Sequence, residues 1–138
     1  MVSLIQTPGE HPGGGVRVEQ YLLGVDLGSG SVKLTLLRRE GGVAASCAQE
    51  YPTYYPQLGH AEQEPQDWCA AFGLGLGKLL SAAGAKAEEI AAIAPDAATH
   101  TAVLLGEDLR PLRRAILWTD QRSVRESAWL RGAHGPLI

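Results

Sequence analysis

The run Tyr21-Leu22-Leu23-Gly24-Val25-Asp26-Leu27 stops at Gly28-Ser29-Gly30-Ser31, and the residues on the far side of that turn fix the start of the fold. A short apolar run closed by a Gly/Ser turn is a buried strand entering a reversal. Val32, Leu34 and Leu36 then alternate with Lys33 and Thr35, the period of two of a half-buried strand. Gly41-Gly42 makes a second turn, and Val43 to Tyr51 supplies a third strand. The spacing predicts a three-stranded antiparallel meander over Tyr21–Tyr51. A strand rather than a helix comes after the glycines, so this is not the dinucleotide fingerprint of a Rossmann fold. The P-loop pattern, Gly-xxxx-Gly-Lys-Ser/Thr, is absent as well.

Downstream, Pro65 stands where a first helical residue would, behind the acidic Glu62 and Glu64. Gln66 to Ala83 places Trp68, Phe72 and Leu79 on one face at helical spacing. Gly73, Gly75 and Gly77 each weaken that helix by about 1 kcal/mol relative to alanine, so tertiary packing must hold it. Gly73 and Gly77, four apart, are expected to admit another backbone. Glu89–Ala94, Ala102–Leu105 and Ala115–Trp118 read as strands, and Gln121–Leu130 as a helix. The order βββαβ with further strands is an α/β plan with a mixed sheet. Residues 1–19, with Pro8-Gly9 and Pro12-Gly13-Gly14-Gly15, read as a flexible N-terminal extension, and 20–138 as one partial domain.

Composition excludes several classes. The 138 residues are 45% hydrophobic and 20% charged, as in ordinary globular chains. A net charge of -3 with scattered basic residues gives no footprint for nucleic acid. No apolar run approaches the ~20 residues of a membrane span, and no signal-peptide pattern opens the chain, so a cytoplasmic protein is expected. Cys47 and Cys69 form no CxxC and are expected to be buried free thiols. His11, His60 and His134 do not cluster with metal partners in the sequence.

Gly24-Val25-Asp26-Leu27-Gly28-Ser29-Gly30-Ser31-Val32-Lys33 is the segment with chemistry in it. Glycines let backbone N–H groups approach phosphate oxygens, hydroxyls add donors, and a strand-end carboxylate suits hydrated Mg²⁺. An ordinary hairpin with a capping aspartate is the other reading of the same residues.

This segment resembles the first phosphate motif of the superfamily of sugar kinases, heat-shock chaperones and actin, in the form carried by FGGY carbohydrate kinases. Two further stretches resemble that family. One is the acidic, proline-led lead-in to the first helix, His60-Ala61-Glu62-Gln63-Glu64-Pro65-Gln66-Asp67-Trp68. The other is the tryptophan–aspartate segment of xylulokinases, Ala115-Ile116-Leu117-Trp118-Thr119-Asp120-Gln121-Arg122-Ser123. Between them, Ala98-Thr99-His100-Thr101 falls where xylulokinases have glutamine–methionine–histidine. Gly30, Ala98 and Thr99 depart from the family pattern.

The resemblance implies a ribonuclease H-like/actin-like ATPase fold, and ATP with Mg²⁺ as cofactors. It implies that Asp26, Gly28, Ser29, Gly30, Ser31 and Lys33 handle the nucleotide phosphates, with Asp26 reaching Mg²⁺ through water. It places Thr99, His100, Trp118 and Asp120 on the sugar wall. For His100 the other reading is a core histidine bonded to backbone, for Trp118 plain core, and for Asp120 a cap on the helix starting near Gln121. The implied activity is phosphorylation of a sugar, a pentulose such as xylulose or a related sugar or polyol. The general base would come from beyond Ile138, so the segment by itself is expected to be inactive. The alternatives are a non-catalytic sugar- or protein-binding remnant and another actin-like ATPase. Expected partners are a small-molecule sugar, no nucleic acid and no membrane, with a homodimer as the candidate assembly.

Overall fold

The computed structural model describes residues 20–135, so the extension expected at 1–19 lies outside the described residues. The opening meander forms as the alternation requires. β1 (Tyr21–Leu27), β2 (Ser31–Arg38) and β3 (Val43–Glu50) pair antiparallel in sequence, with Leu27 opposite Val32 across the first turn. On one face Tyr21, Leu23, Val25, Val32, Leu34 and Leu36 are buried.

That face is covered by α1 (Pro65–Ala83), whose first residue is the predicted proline and whose end is capped by Gly84 at a left-handed φ of 63°. Ala71, Gly75 and Leu79, spaced by four, are its buried residues beyond Pro65. Trp68 and Phe72 pack at the margin of the same core. The close approach falls on Gly75, not on Gly73 and Gly77 as expected. A Cβ built at Gly75 would lie 2.9 Å from Leu34 Cδ1, whereas at the other two it would meet open space. The period of 3.6 turns Gly75 toward the sheet with Ala71 and Leu79, and turns its glycine neighbours outward.

A second sequence-predicted strand runs longer than expected. With the two-residue strand β4 (Glu62–Gln63) preceding α1, the strand after it is β5, and it spans Ile90–Ala97 and lies parallel to β1. The sheet is therefore mixed, in the order β3-β2-β1-β5. Pro95 falls within β5, where an edge position tolerates its missing N–H. The segment Ala102–Leu105 makes only isolated bridges, Ala102 to Ile116 and Leu105 to Pro111. The expected strand at Ala115–Trp118 contracts to β6 (Ala115–Ile116), antiparallel to β4. The last helix, α2, spans Val124–His134 rather than Gln121–Leu130. Cys47 is half-buried but Cys69 is exposed on α1, against the expectation for it. Among the described residues no helix is long and apolar enough to cross a membrane.

Candidate functional site

Antiparallel pairing puts Asp26 directly opposite Lys33, and Lys33 Nζ lies 3.0 Å from Asp26 Oδ2 in an exposed ion pair. The turn between them closes by a bond from Gly28 N–H to the Ser31 carbonyl at 3.0 Å. Ser29 and Gly30 form its exposed tip. The donor set suits an anion: an exposed Gly/Ser turn with hydroxyls on both sides, a lysine, and one strand-end carboxylate. Asp26, with Asp96 beside it on the neighbouring strand, suits a hydrated Mg²⁺. No group of three or more His, Cys, Asp and Glu among the described residues could hold a metal ion.

The turn is braced from three sides. The Tyr51 hydroxyl donates to the Gly28 carbonyl, and Tyr51 N–H to the Gly30 carbonyl at 3.2 Å. Burial, with the Asp26 charge nearby, raises the Tyr51 pKa above the usual phenol value. Gln63 donates to the Ser29 carbonyl at 2.8 Å. Trp118 Nε1 lies 3.4 Å from Ser29 Oγ, toward which it donates, across 89 residues of sequence. That contact joins the two ends of the sequence-predicted site. Trp118 is not core, since it is 60% exposed.

β5 brings Asp96 beside Asp26 in register and delivers the chain to Thr99 and His100. His100 is exposed, bonded through Nδ1 to Thr99 Oγ1 at 3.0 Å, and holds a φ of 58°. The core-histidine reading is therefore excluded by its exposure. An apolar crevice of about 190 Å³ lies at the carboxyl ends of β1 and β5, lined by Leu27, Gly28, Tyr51, Trp68, Ala98 and Thr101 among others. Thr101 Oγ1 is buried without a hydrogen-bond partner. Sequence reasoning passed over Asp96 and Thr101. Asp96 has no sequence signal, because only the parallel register reveals it, whereas Thr101 adjoins the histidine that was singled out.

Asp120 does not cap the last helix. α2 starts at Val124, and its N-cap residue is Ser123. The Asp120 side chain is only 2% exposed, and four donors converge on it. Oδ1 accepts from Arg122 N–H (2.9 Å) and Nε (2.7 Å), and Oδ2 from Ala61 N–H (2.7 Å) and Arg122 Nη2 (2.7 Å). A carboxylate offers about four lone-pair sites, so these four donors saturate Asp120 and tie its loop to Ala61 and Arg122. The Arg122 hydrogen bonds keep its carboxyl far below the ordinary aspartate pKa and raise the guanidinium in turn. Arg122 Nη2 also reaches Glu62 Oε1 at 2.7 Å, and Arg113 Nη2 reaches the same oxygen at 2.5 Å. Arg122 and then Arg113 lower the Glu62 pKa against the opposing effect of burial. Arg114 stacks 3.7 Å over the Tyr54 ring.

A mixed sheet covered by one helix, with a carboxylate-ended hairpin facing a crevice at its strand ends, defines the N-terminal part of an actin-like ATPase domain of the sugar-kinase type. Residues 21–134 match the FGGY family of carbohydrate kinases, N-terminal domain, and the chain belongs to that family. It is 36% identical over 105 residues to a xylulose kinase from Bacillus subtilis, covering 76% of this chain and 21% of that protein. It is 34% identical over 120 residues to a glycerol kinase from Afipia carboxidovorans, covering 86% of this chain and 24% of that protein. A crystal structure of a xyloylose kinase from Brucella ovis superposes with a TM-score of 0.76 at 32% identity, covering 84% of this chain and 24% of that one. The chain thus spans between a fifth and a quarter of the length of these relatives.

Proposed function

We propose that this chain supplies the first phosphate-binding hairpin and part of the sugar wall of a kinase that transfers phosphate from ATP to a hydroxyl of a sugar or polyol, a pentulose such as xylulose being the leading candidate. The observation that carries the reading is the contact of Trp118 with Ser29, which puts an exposed indole beside the phosphate turn. Phosphoryl transfer needs little covalent chemistry from protein, and positioning with charge stabilisation does most of the work.

In this reading Gly28, Ser29, Gly30 and Ser31 bind phosphate oxygens through backbone N–H groups and hydroxyls. Lys33 offsets anionic charge, and Asp26 orients water on Mg²⁺. The metal, when bound, neutralises charge between neighbouring phosphates. Trp118 offers a flat face to sugar C–H groups, while Thr99 and His100 bond sugar hydroxyls. Asp120 and Arg122 hold the loop that carries Trp118. The xylulose kinase and glycerol kinase relatives both support a polyhydroxylated substrate. Calorimetric titration of the 138-residue chain tests the phosphate half directly. Mg·ADP should bind, and Asp26→Asn together with Lys33→Ala should abolish that binding without loss of fold. Undiminished binding by the double variant would put the phosphate site elsewhere.

A further inference from the structure

The phosphate turn is held from behind by a side chain to which the sequence assigns no role. Gln63 on β4 is 2% exposed, and both its amide nitrogen and its amide oxygen are hydrogen-bonded. Nε2 donates to the Ser29 carbonyl and to Thr53 Oγ1, each at 2.8 Å, and Oε1 accepts from Trp68 Nε1 at 3.0 Å. Thus one buried amide ties the tip of the β1–β2 turn to the first turn of α1 and to the segment leading into β4. Its own backbone pairs with Ala115 of β6, at the start of the segment that carries Trp118. Buried polar networks of this kind are stiff, because a member left unpaired out of water is strongly disfavoured.

We propose that Gln63 is a positioning residue that fixes the conformation in which the Gly28–Ser31 turn is presented to phosphate. The inference rests on the phosphate reading of that turn, but the brace itself is separable from it. Tyr51 also contacts the turn, yet it enters from the end of β3 and links it to neither α1 nor β6. Gln63 instead joins the turn, the helix and the strand pair that leads to Trp118.

Amide hydrogen exchange on the 138-residue chain, read residue by residue by NMR, tests the brace without any ligand. Gln63→Glu is isosteric and at pH 7 keeps an acceptor for Trp68 Nε1, but it has no donor for the Ser29 carbonyl. The Gly28 amide, which closes the turn onto Ser31, should exchange about tenfold faster, the scale of one lost hydrogen bond. Leu34 in the middle of β2 and the Trp68 indole proton should keep their protection. Unchanged Gly28 exchange overturns the proposal, as does acceleration of Gly28 and Leu34 in parallel, which would mark plain destabilisation. If Gln63→Glu does not fold, the wild-type chain decides. Slowly exchanging Gln63 side-chain amide protons support the brace, and freely exchanging ones overturn it. Titration with Mg·ADP separates the two readings. Binding about tenfold weaker in Gln63→Glu supports positioning, and equal binding overturns it. If the wild-type chain does not bind, the exchange rates decide the brace alone.

Discussion

His100 holds a left-handed φ of 58° without being glycine, three residues past the end of β5 and between Ala98 and Thr101 of the crevice lining. A non-glycine residue in that region costs of order 1 kcal/mol and persists where surrounding structure imposes it, often at a binding site. Asparagine tolerates the same conformation, so His100→Asn separates the ring from the backbone. In a full-length kinase of the proposed kind we expect His100→Asn to raise the sugar KM roughly ten- to a hundred-fold, as for losing a hydrogen bond and leaving its partner unpaired. The ATP KM should hardly move. Steady-state kinetics with each substrate varied checks this, and a change confined to ATP would move His100 to the nucleotide side. The residue-scale legibility is uneven. The Asp26–Lys33 segment could be read because its geometry is local, set by strand alternation about one turn. Asp120 could not, because its saturation depends on Ala61, 59 residues away, and on Arg122 folding back over the carboxylate.

At the scale of elements, α1 makes the sharpest test. Its three glycines are chemically equal in the sequence but not in the fold. Gly73→Ala and Gly77→Ala should each stabilise the chain by up to about 1 kcal/mol, the difference in helix propensity. Gly75→Ala gains the same propensity, yet its Cβ would press on Leu34 Cδ1 at 2.9 Å. Overpacking of that kind typically costs about 1–3 kcal/mol, so the net effect should be destabilising. Thermal denaturation of the three variants measures the contrast, and equal shifts would refute the packing account. Period and spacing announce α1 and the meander, but not which glycine meets the sheet. β4 and β6 are two residues each and pair across some fifty residues, so no local pattern marks them. The apolar run at Ala102–Leu105 looks like a strand, yet Val103, Leu104 and Leu105 are all exposed and the run makes only bridges. In the sequence β5 ends before Pro95, because a proline argues against a central strand. In the fold it continues, because among the described residues it pairs on one side only.

The whole molecule is held together in two different ways. The main apolar cluster is built by the meander and α1 with Ile90 and Ala85 at its margin, and among the described residues none beyond Ile90 joins it. The segment from Arg113 to Arg122 lies outside that cluster: its own Ala115 and Leu117 are buried, and hydrogen bonds and ion pairs tie it to residues 59–62. Leu117 N–H donates to the Ala61 carbonyl at 3.0 Å, and Gln121 N–H to the Gly59 carbonyl at 2.7 Å. Around them lie the ion pairs of Glu62 with Arg113 and Arg122, and of Asp120 with Arg122. Both carboxyls have folded pKa values below their ordinary ones, Asp120 through Arg122 first and Glu62 through Arg122 likewise. A depressed carboxyl pKa means that the released state binds more protons, so attachment strengthens as pH rises through the released-state values of about 4. It is complete above them and is lost as pH falls toward the folded values. The apolar core has no such dependence from these groups. We therefore expect acidification from pH 6 to pH 3 to free this segment before the sheet unfolds, as a local opening. The Leu117 and Gln121 amides should lose exchange protection in that window, while Leu34 keeps its own. Arg122→Ala should open the segment already at pH 6, and its deficit relative to wild type should shrink toward pH 3, where the carboxyls of the released segment are protonated. Simultaneous loss of Leu34 and Leu117 protection at every pH would mean that the polar attachment is not a separate unit, and a constant deficit for Arg122→Ala would show that these two carboxyls do not govern it.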